Sequence, residues 1–109
     1  MGISFSDFEK VDMRVGRIVN VEDSLSRKPT YRFTLDFGPE IGTKVSCAAL
    51  TRYGKEELLG ALIIAVINFP PKKMGPETSE VLILGVPDRK GGVIRLQPER
   101  DALPGSRVF

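Results

Sequence analysis

Residues 61–85 read ALIIAVINFPPKKMGPETSEVLILG, two apolar runs separated by a polar stretch that carries adjacent lysines. The runs, 61–67 and 81–84, are short and rich in Val and Ile, the composition of strands buried on both faces. Pro70 and Pro71 lack amide donors and fix their own φ, so the first strand has to stop near Asn68. A long cationic connection between two rigid strands suits a ligand-facing loop better than a plain hairpin.

Working outward, residues 31–37 give the cleanest alternation. Tyr31, Phe33, Leu35 and Phe37 face one way, and Arg32, Thr34 and Asp36 the other. Residues 44–49 read as a strand with Val45, Cys47 and Ala49 inward and Lys44, Ser46 and Ala48 outward. Residues 12–22 form an earlier strand, in which Met13, Val15, Val19 and Val21 share one parity. Arg17 and Ile18 break its alternation after Gly16, so a bulge or sharp coil is expected there. Ser6-Asp7-Phe8-Glu9 fits a capping box with Ser6 as N-cap. Residues 51–59, closed by Gly60, carry the mid-chain helical signal. A fifth strand over 81–86 follows, then a turn at Gly91-Gly92 and a short strand near 93–96. Arg89-Lys90 beside Asp88 reads as a solvated turn.

Composition narrows the function. A chain of 109 residues holds one core, so residues 1–109 are read as a single domain. No apolar run approaches the roughly 18 residues needed to cross a bilayer, so no membrane insertion is expected. The first residues show no basic start and no apolar h-region, which makes the cytoplasm the expected compartment. The lone Cys47 excludes an internal disulfide and a multi-cysteine zinc site. The absence of histidine removes the commonest general base and metal ligand. No catalytic residue, metal or cofactor is expected, and the chain reads as a binding module rather than an enzyme.

Strand, strand, strand, helix, strand, strand is the order of an all-β, five-stranded OB-fold barrel with one short helix between strands three and four. Residues 1–11 and 97–109 then lie outside it as extensions. The fold flanks one sheet face with the connections between strands one and two and between strands four and five. Here those carry Arg27-Lys28 and Lys72-Lys73. Three windows, 24–35, 41–55 and 67–76, hold eight of the 16 basic residues and none of the 14 acids. Arg27, Lys28, Arg32, Lys44, Lys72 and Lys73 are therefore candidate phosphate contacts. Phe69 and Tyr53 are candidate stacking rings. Met74 suits a base or an apolar peptide side chain. Asn68 suits a base edge or simply the end of a strand, and Ser46 and Ser79 suit phosphates or ordinary turn and sheet roles. Glu80 is expected to order the lysine loop. Phe5, Phe8, Val108 and Phe109, at the two ends, are expected to form a symmetric dimer interface.

Several of these segments also resemble a known family. Asp12-Met-Arg14-Val-Gly16-Arg-Ile18, Leu35-Asp36-Phe-Gly38, Lys44-Val-Ser46 and Leu58-Leu59-Gly60 are similar to the tRNA-binding OB domain. That domain is appended to methionyl-tRNA synthetases and to bacterial phenylalanyl-tRNA synthetase β-subunits. Asn68-Phe-Pro-Pro-Lys-Lys-Met74-Gly, then Ser79-Glu80-Val-Leu82 and Pro104-Gly105-Ser-Arg-Val108, complete the match over nearly the whole chain. The Phe-Pro-Pro loop and Leu96-Gln-Pro look closest to the free-standing CsaA type, described as export-related chaperones. Many tRNA-binding members carry His-Pro-x-Ala-Asp-Lys-Leu after strand one. This chain has Asp23-Ser-Leu-Ser-Arg-Lys-Pro29 there, which favours the CsaA branch. The resemblance implies a homodimer that binds tRNA or other structured RNA, unfolded or precursor polypeptides, or both.

Overall fold

In the computed structural model, which describes residues 1–25 and 29–109, a long central strand organises the barrel. The elements run α1 (Phe5–Glu9), β1 (Met13–Asp23), β2 (Tyr31–Asp36), α2 (Gly38–Ile41), β3 (Thr43–Ala48), α3 (Lys55–Leu58) and β4 (Leu62–Val66). They continue as β5 (Lys72–Met74), β6 (Glu77–Ser79), β7 (Leu82–Ile83), β8 (Gly85–Pro87) and β9 (Val93–Arg95). Five strands form one antiparallel sheet in the order β3-β2-β1-β4-β7. The outer edge of β3 is met by residues 79–81. The Glu80 amide donates to the Val45 carbonyl at 2.7 Å, and the Val45 amide returns a bond to Glu80 Oε1 at 2.9 Å. The Cys47 amide donates to Ser79 Oγ at 3.2 Å. These bonds nearly close the sheet into the OB-type barrel, so Glu80 serves the barrel itself.

The bulge in β1 falls at Val19, where the pairing skips from Ile18↔Leu35 to Asn20↔Thr34. A one-residue skip exchanges the faces of a strand. Ile18 before it and Val21 after it therefore both reach the core, and Val19 is exposed. Phe33, Leu35, Phe37, Leu50, Leu58, Ile63, Ala65 and Val81 complete that core. Gly16 lies against it: a Cβ there would meet Phe37 Cε1 at 2.8 Å and Ile63 Cδ1 at 3.2 Å. Before the bulge, Met13 and Val15 lie on the other face, opposite Val66 and Ile64. The chain returns along this part of β1 at residues 105–108, with Gly105 N→Val15 O and Val108 N→Met13 O both at 2.8 Å.

Several expectations are corrected. In β3 the faces are reversed: Tyr31, Phe33 and Leu35 pair with Ala48, Ser46 and Lys44, and cross-strand partners share a face. Ser46 is consequently 1% exposed and donates to the Val81 carbonyl at 2.8 Å. That bond removes the cost of burying the hydroxyl and removes the hydroxyl from any ligand. The N-cap of α1 is Ser4, not Ser6. Ser4 Oγ accepts the Asp7 amide at 3.1 Å and Asp7 Oδ2 accepts the Ser4 amide at 3.2 Å. The mid-chain helix covers only α3, and α2 occupies the expected turn after Phe37. The fifth strand is divided into β7 and β8, and the loop after Asn68 is itself a hairpin, β5–β6.

Candidate nucleic-acid interface

The β5–β6 hairpin pairs Lys72 with Ser79, Lys73 with Thr78 and Met74 with Glu77. Alternation along so short a ribbon gives its two faces different tasks. Lys73 and Thr78 share the exposed face. Lys72, Met74, Glu77 and Ser79 share the face that meets the barrel. Ser79 Oγ, besides its bond from Cys47, lies 3.2 Å from the Val81 carbonyl and 3.3 Å from Ser46 Oγ. Its hydroxyl thus anchors the hairpin, the sheet role that stood beside the phosphate reading for this residue.

Glu77 is the second anchor, and it is 9% exposed. Its Oε1 accepts the Ser24 hydroxyl at 2.5 Å and the Leu25 amide at 3.1 Å, and Oε2 lies 3.6 Å from Arg32 Nε. Arg32 also donates to Glu22 Oε1 at 2.8 Å. The arginine does stand on the expected sheet face, but two carboxylates compensate its charge. Arg27 and Lys28 lie outside the described residues. Lys44 stands on the opposite parity from Arg32, half-buried across from Leu35. Asn68 is spent on structure: Oδ1 accepts the Asp12 amide at 3.0 Å and Nδ2 donates to the Lys10 carbonyl at 2.7 Å. Tyr53 is not an open stacking ring, because Arg95 covers it at 5.0 Å.

Beneath the hairpin lies a cleft of about 390 Å³ walled by Phe69, Pro70, Met74, Val81 and Leu82, with Lys72 and Cys47 also lining it. Phe69 is 54% exposed and Leu82 48% exposed, so apolar surface is open beside Lys72. Among the described residues neither Lys72 nor Lys73 has an ion pair. Cys47, expected in the core, is half-buried on the face of Arg32. Burial pushes its thiol above the ordinary value, and the Glu77 carboxylate adds to the shift. Phe69, Lys72 and Met74 thus line one cleft, and Lys73 stands on the outer face of the same hairpin. Leu82 and Cys47 join the cleft without a sequence signal, because the two-residue β7 carries no readable period and the faces of β3 are set by its pairing with β2.

At the other end of β1 the two ends of the chain meet. Arg107 donates to the Glu9 carbonyl at 2.8 Å, and Asp12 lies between Arg14 at 2.6 Å and Arg107 at 3.7 Å. The Phe5 and Phe8 rings are 6.3 Å apart, with Phe8 and Val108 half-buried. Met1, Ile3, Phe5 and Phe109 are exposed.

The family model described as "Putative tRNA binding domain" matches residues 13–107. The crystal structure of the CsaA chaperone protein from Picrophilus torridus is similar at TM-score 0.93 and 43% identity, over 99% of this chain and 100% of that one. The chaperone CsaA from Bacillus anthracis str. Ames gives 0.92 and 40%, over the full length of both. Methionine–tRNA ligase of Pyrococcus furiosus is 36% identical over 107 residues, 97% of this chain. The chain spans 14% of that ligase's length.

Proposed function

As the chain belongs to the tRNA-binding domain family, we propose that it is a non-catalytic, homodimeric tRNA-binding protein of the CsaA type, acting in the cytoplasm. The observation that carries this reading is the pair Lys72 and Lys73, free of ion pairs among the described residues and mounted on an anchored hairpin beside exposed Phe69. Phosphates would sit on the lysines, and an unpaired base would stack on Phe69 or Met74. A symmetric dimer would present two such sites, so one folded RNA held at both gains avidity. Exposed Phe5 and Phe109, in the end segments 1–11 and 97–109, support that dimer.

A second reading is favoured by the apolar walls of the cleft. An extended segment of an unfolded or precursor polypeptide, bound as by an export-related chaperone, would place an apolar side chain there. The two readings differ in their response to salt. Fluorescence anisotropy of labelled tRNA over a salt series, with Lys72→Ala/Lys73→Ala in parallel, decides between them. Binding that weakens steeply with salt, and less steeply in the double variant, supports the RNA reading. No binding at low salt, with salt-tolerant capture of an apolar peptide, replaces it by the second.

A further inference from the structure

A second cationic set stands away from the hairpin, on the turn between β8 and β9. That turn is rigid: Asp88 Oδ1 accepts the Lys90 amide at 2.7 Å and the Gly92 amide at 2.8 Å, and the Asp88 amide donates to the Gly92 carbonyl at 2.9 Å. These N–H groups, Gly92 first, hold the Asp88 carboxyl below its ordinary value, with a smaller contribution from Arg52. Arg52 is laid against the turn and donates to the Lys90 carbonyl at 3.2 Å. A Cβ on Gly92 would come within 2.9 Å of Arg52 Cγ, so glycine permits this approach. Arg52, Arg89 and Lys90 are exposed, and among the described residues none has an ion pair. Arg52, Arg89 and Lys90 therefore put three cations at a turn whose one carboxylate is committed to its own backbone.

The position of the cluster gives it a use. The Tyr31 hydroxyl donates to the Tyr53 carbonyl at 3.0 Å, and Lys55 pairs with Asp23 at 3.0 Å. The segment after β3 is thus fastened where β1 ends and β2 begins. Glu77 fastens the lysine hairpin to Ser24 and Leu25, at that same end of the barrel. We propose that Arg52, Arg89 and Lys90 form a second phosphate-contact site, which grips the backbone of the RNA that the lysine hairpin engages. This rests on the RNA reading above. The contact is to backbone, because the nearby ring of Tyr53 is covered by Arg95. A turn held by its own hydrogen bonds presents its charges without an ordering cost on binding.

The test is a tRNA salt series with Arg89→Ala/Lys90→Ala, since the turn is held by Asp88 and backbone amides and, among the described residues, neither side chain makes a hydrogen bond or ion pair. Each lost phosphate contact flattens the log–log salt slope by about 0.7–0.9, so the double variant should flatten it by about 1.4–1.8. The control is Lys10→Ala/Arg100→Ala, the same change of net charge at exposed positions elsewhere. An unchanged slope in the control with a flattened one in Arg89→Ala/Lys90→Ala supports the site. Equal flattening in both, or none in either, overturns it while the hairpin reading stands. No binding by the wild type at the lowest salt overturns both.

Discussion

Glu77 Oε1 accepts the Leu25 amide at 3.1 Å, across 52 residues of sequence, and so binds the lysine hairpin to the connection that follows β1. A buried carboxylate is costly unless its oxygens are hydrogen-bonded, and here Ser24, Leu25 and Arg32 supply the partners. The arrangement places an acid beneath a surface proposed to bind an anion. Its consequence is that Arg32 serves the scaffold, while Lys72 and Lys73 have no ion pair among the described residues.

Replacing Glu77 separates these two effects. Glu77→Ala removes every acceptor and should lower stability by about 1.5–3 kcal/mol, the range for hydrogen bonds to a charged group, read as a lower urea midpoint. Glu77→Gln keeps an acceptor for Ser24 and Leu25 and should cost less. It also leaves Arg32 with Glu22 alone, so its RNA-binding slope should steepen relative to wild type. A Glu77→Ala protein as stable as wild type would show that the hairpin is held by Ser79 and Glu80 without this carboxylate.

Gly16 is required by contact with the core. Its missing Cβ leaves room for the edge of the Phe37 ring, and Phe37 and Ile63 are both essentially unexposed. Gly16→Ala should therefore overpack the core and destabilise by about 1–3 kcal/mol. The midpoint of urea unfolding measures it, and an unchanged midpoint would mean that Phe37 shifts at no cost.

How far the sequence was legible varies from strand to strand, for physical reasons. In β2, Tyr31, Phe33 and Leu35 alternate with polar residues because one face of that strand is core and the other is not. In β3 neither parity is clearly apolar, and the deciding event is the bond from Ser46 to Val81, 35 residues away. Periodicity cannot register such a bond. The bulge was signalled by Arg17 and Ile18, but its place at Val19 depends on pairing with β2. Near the start, Ser4 and Ser6 each precede an acid by three residues, and only the helix start at Phe5 selects Ser4. The lysines, Phe69 and Met74 stand out by residue type. Leu82 and Cys47 do not, since tertiary contacts rather than local pattern place them at the cleft, and the same holds for Glu77 beneath the hairpin.

Cys47 reports on the cleft directly. Burial first, and Glu77 second, raise its thiol above the ordinary 9.0. A raised thiol pKa favours the protonated folded state, so this contribution to stability is present below pH 9.0 and lost as pH rises through the higher folded value. Iodoacetamide should consequently alkylate native Cys47 at pH 8 more slowly than a free cysteine peptide, since the thiolate is the nucleophile. Glu77→Gln should speed the reaction. A native rate equal to the peptide's would remove Glu77 and burial as influences on the thiol.

The proposed dimer is best tested without disturbing the barrel. Deleting residues 105–109 would strip the amides that bond Val15 and Met13, and so would confuse folding with association. Phe5 is 73% exposed and Phe109 is fully exposed, so neither contributes to the core of its own chain. A partner that covers both rings would remove their apolar surface from water, at about 25 cal/mol per Å². The double variant Phe5→Ser/Phe109→Ser should accordingly keep the wild-type unfolding midpoint at high dilution. It should scatter light as a monomer at concentrations where the wild type is a dimer. A wild type that is monomeric throughout, or a variant that stays dimeric, would place the apolar ends outside any self-association. In the monomeric variant, tRNA affinity should fall further than one lost site explains, because the avidity of paired sites goes with the interface.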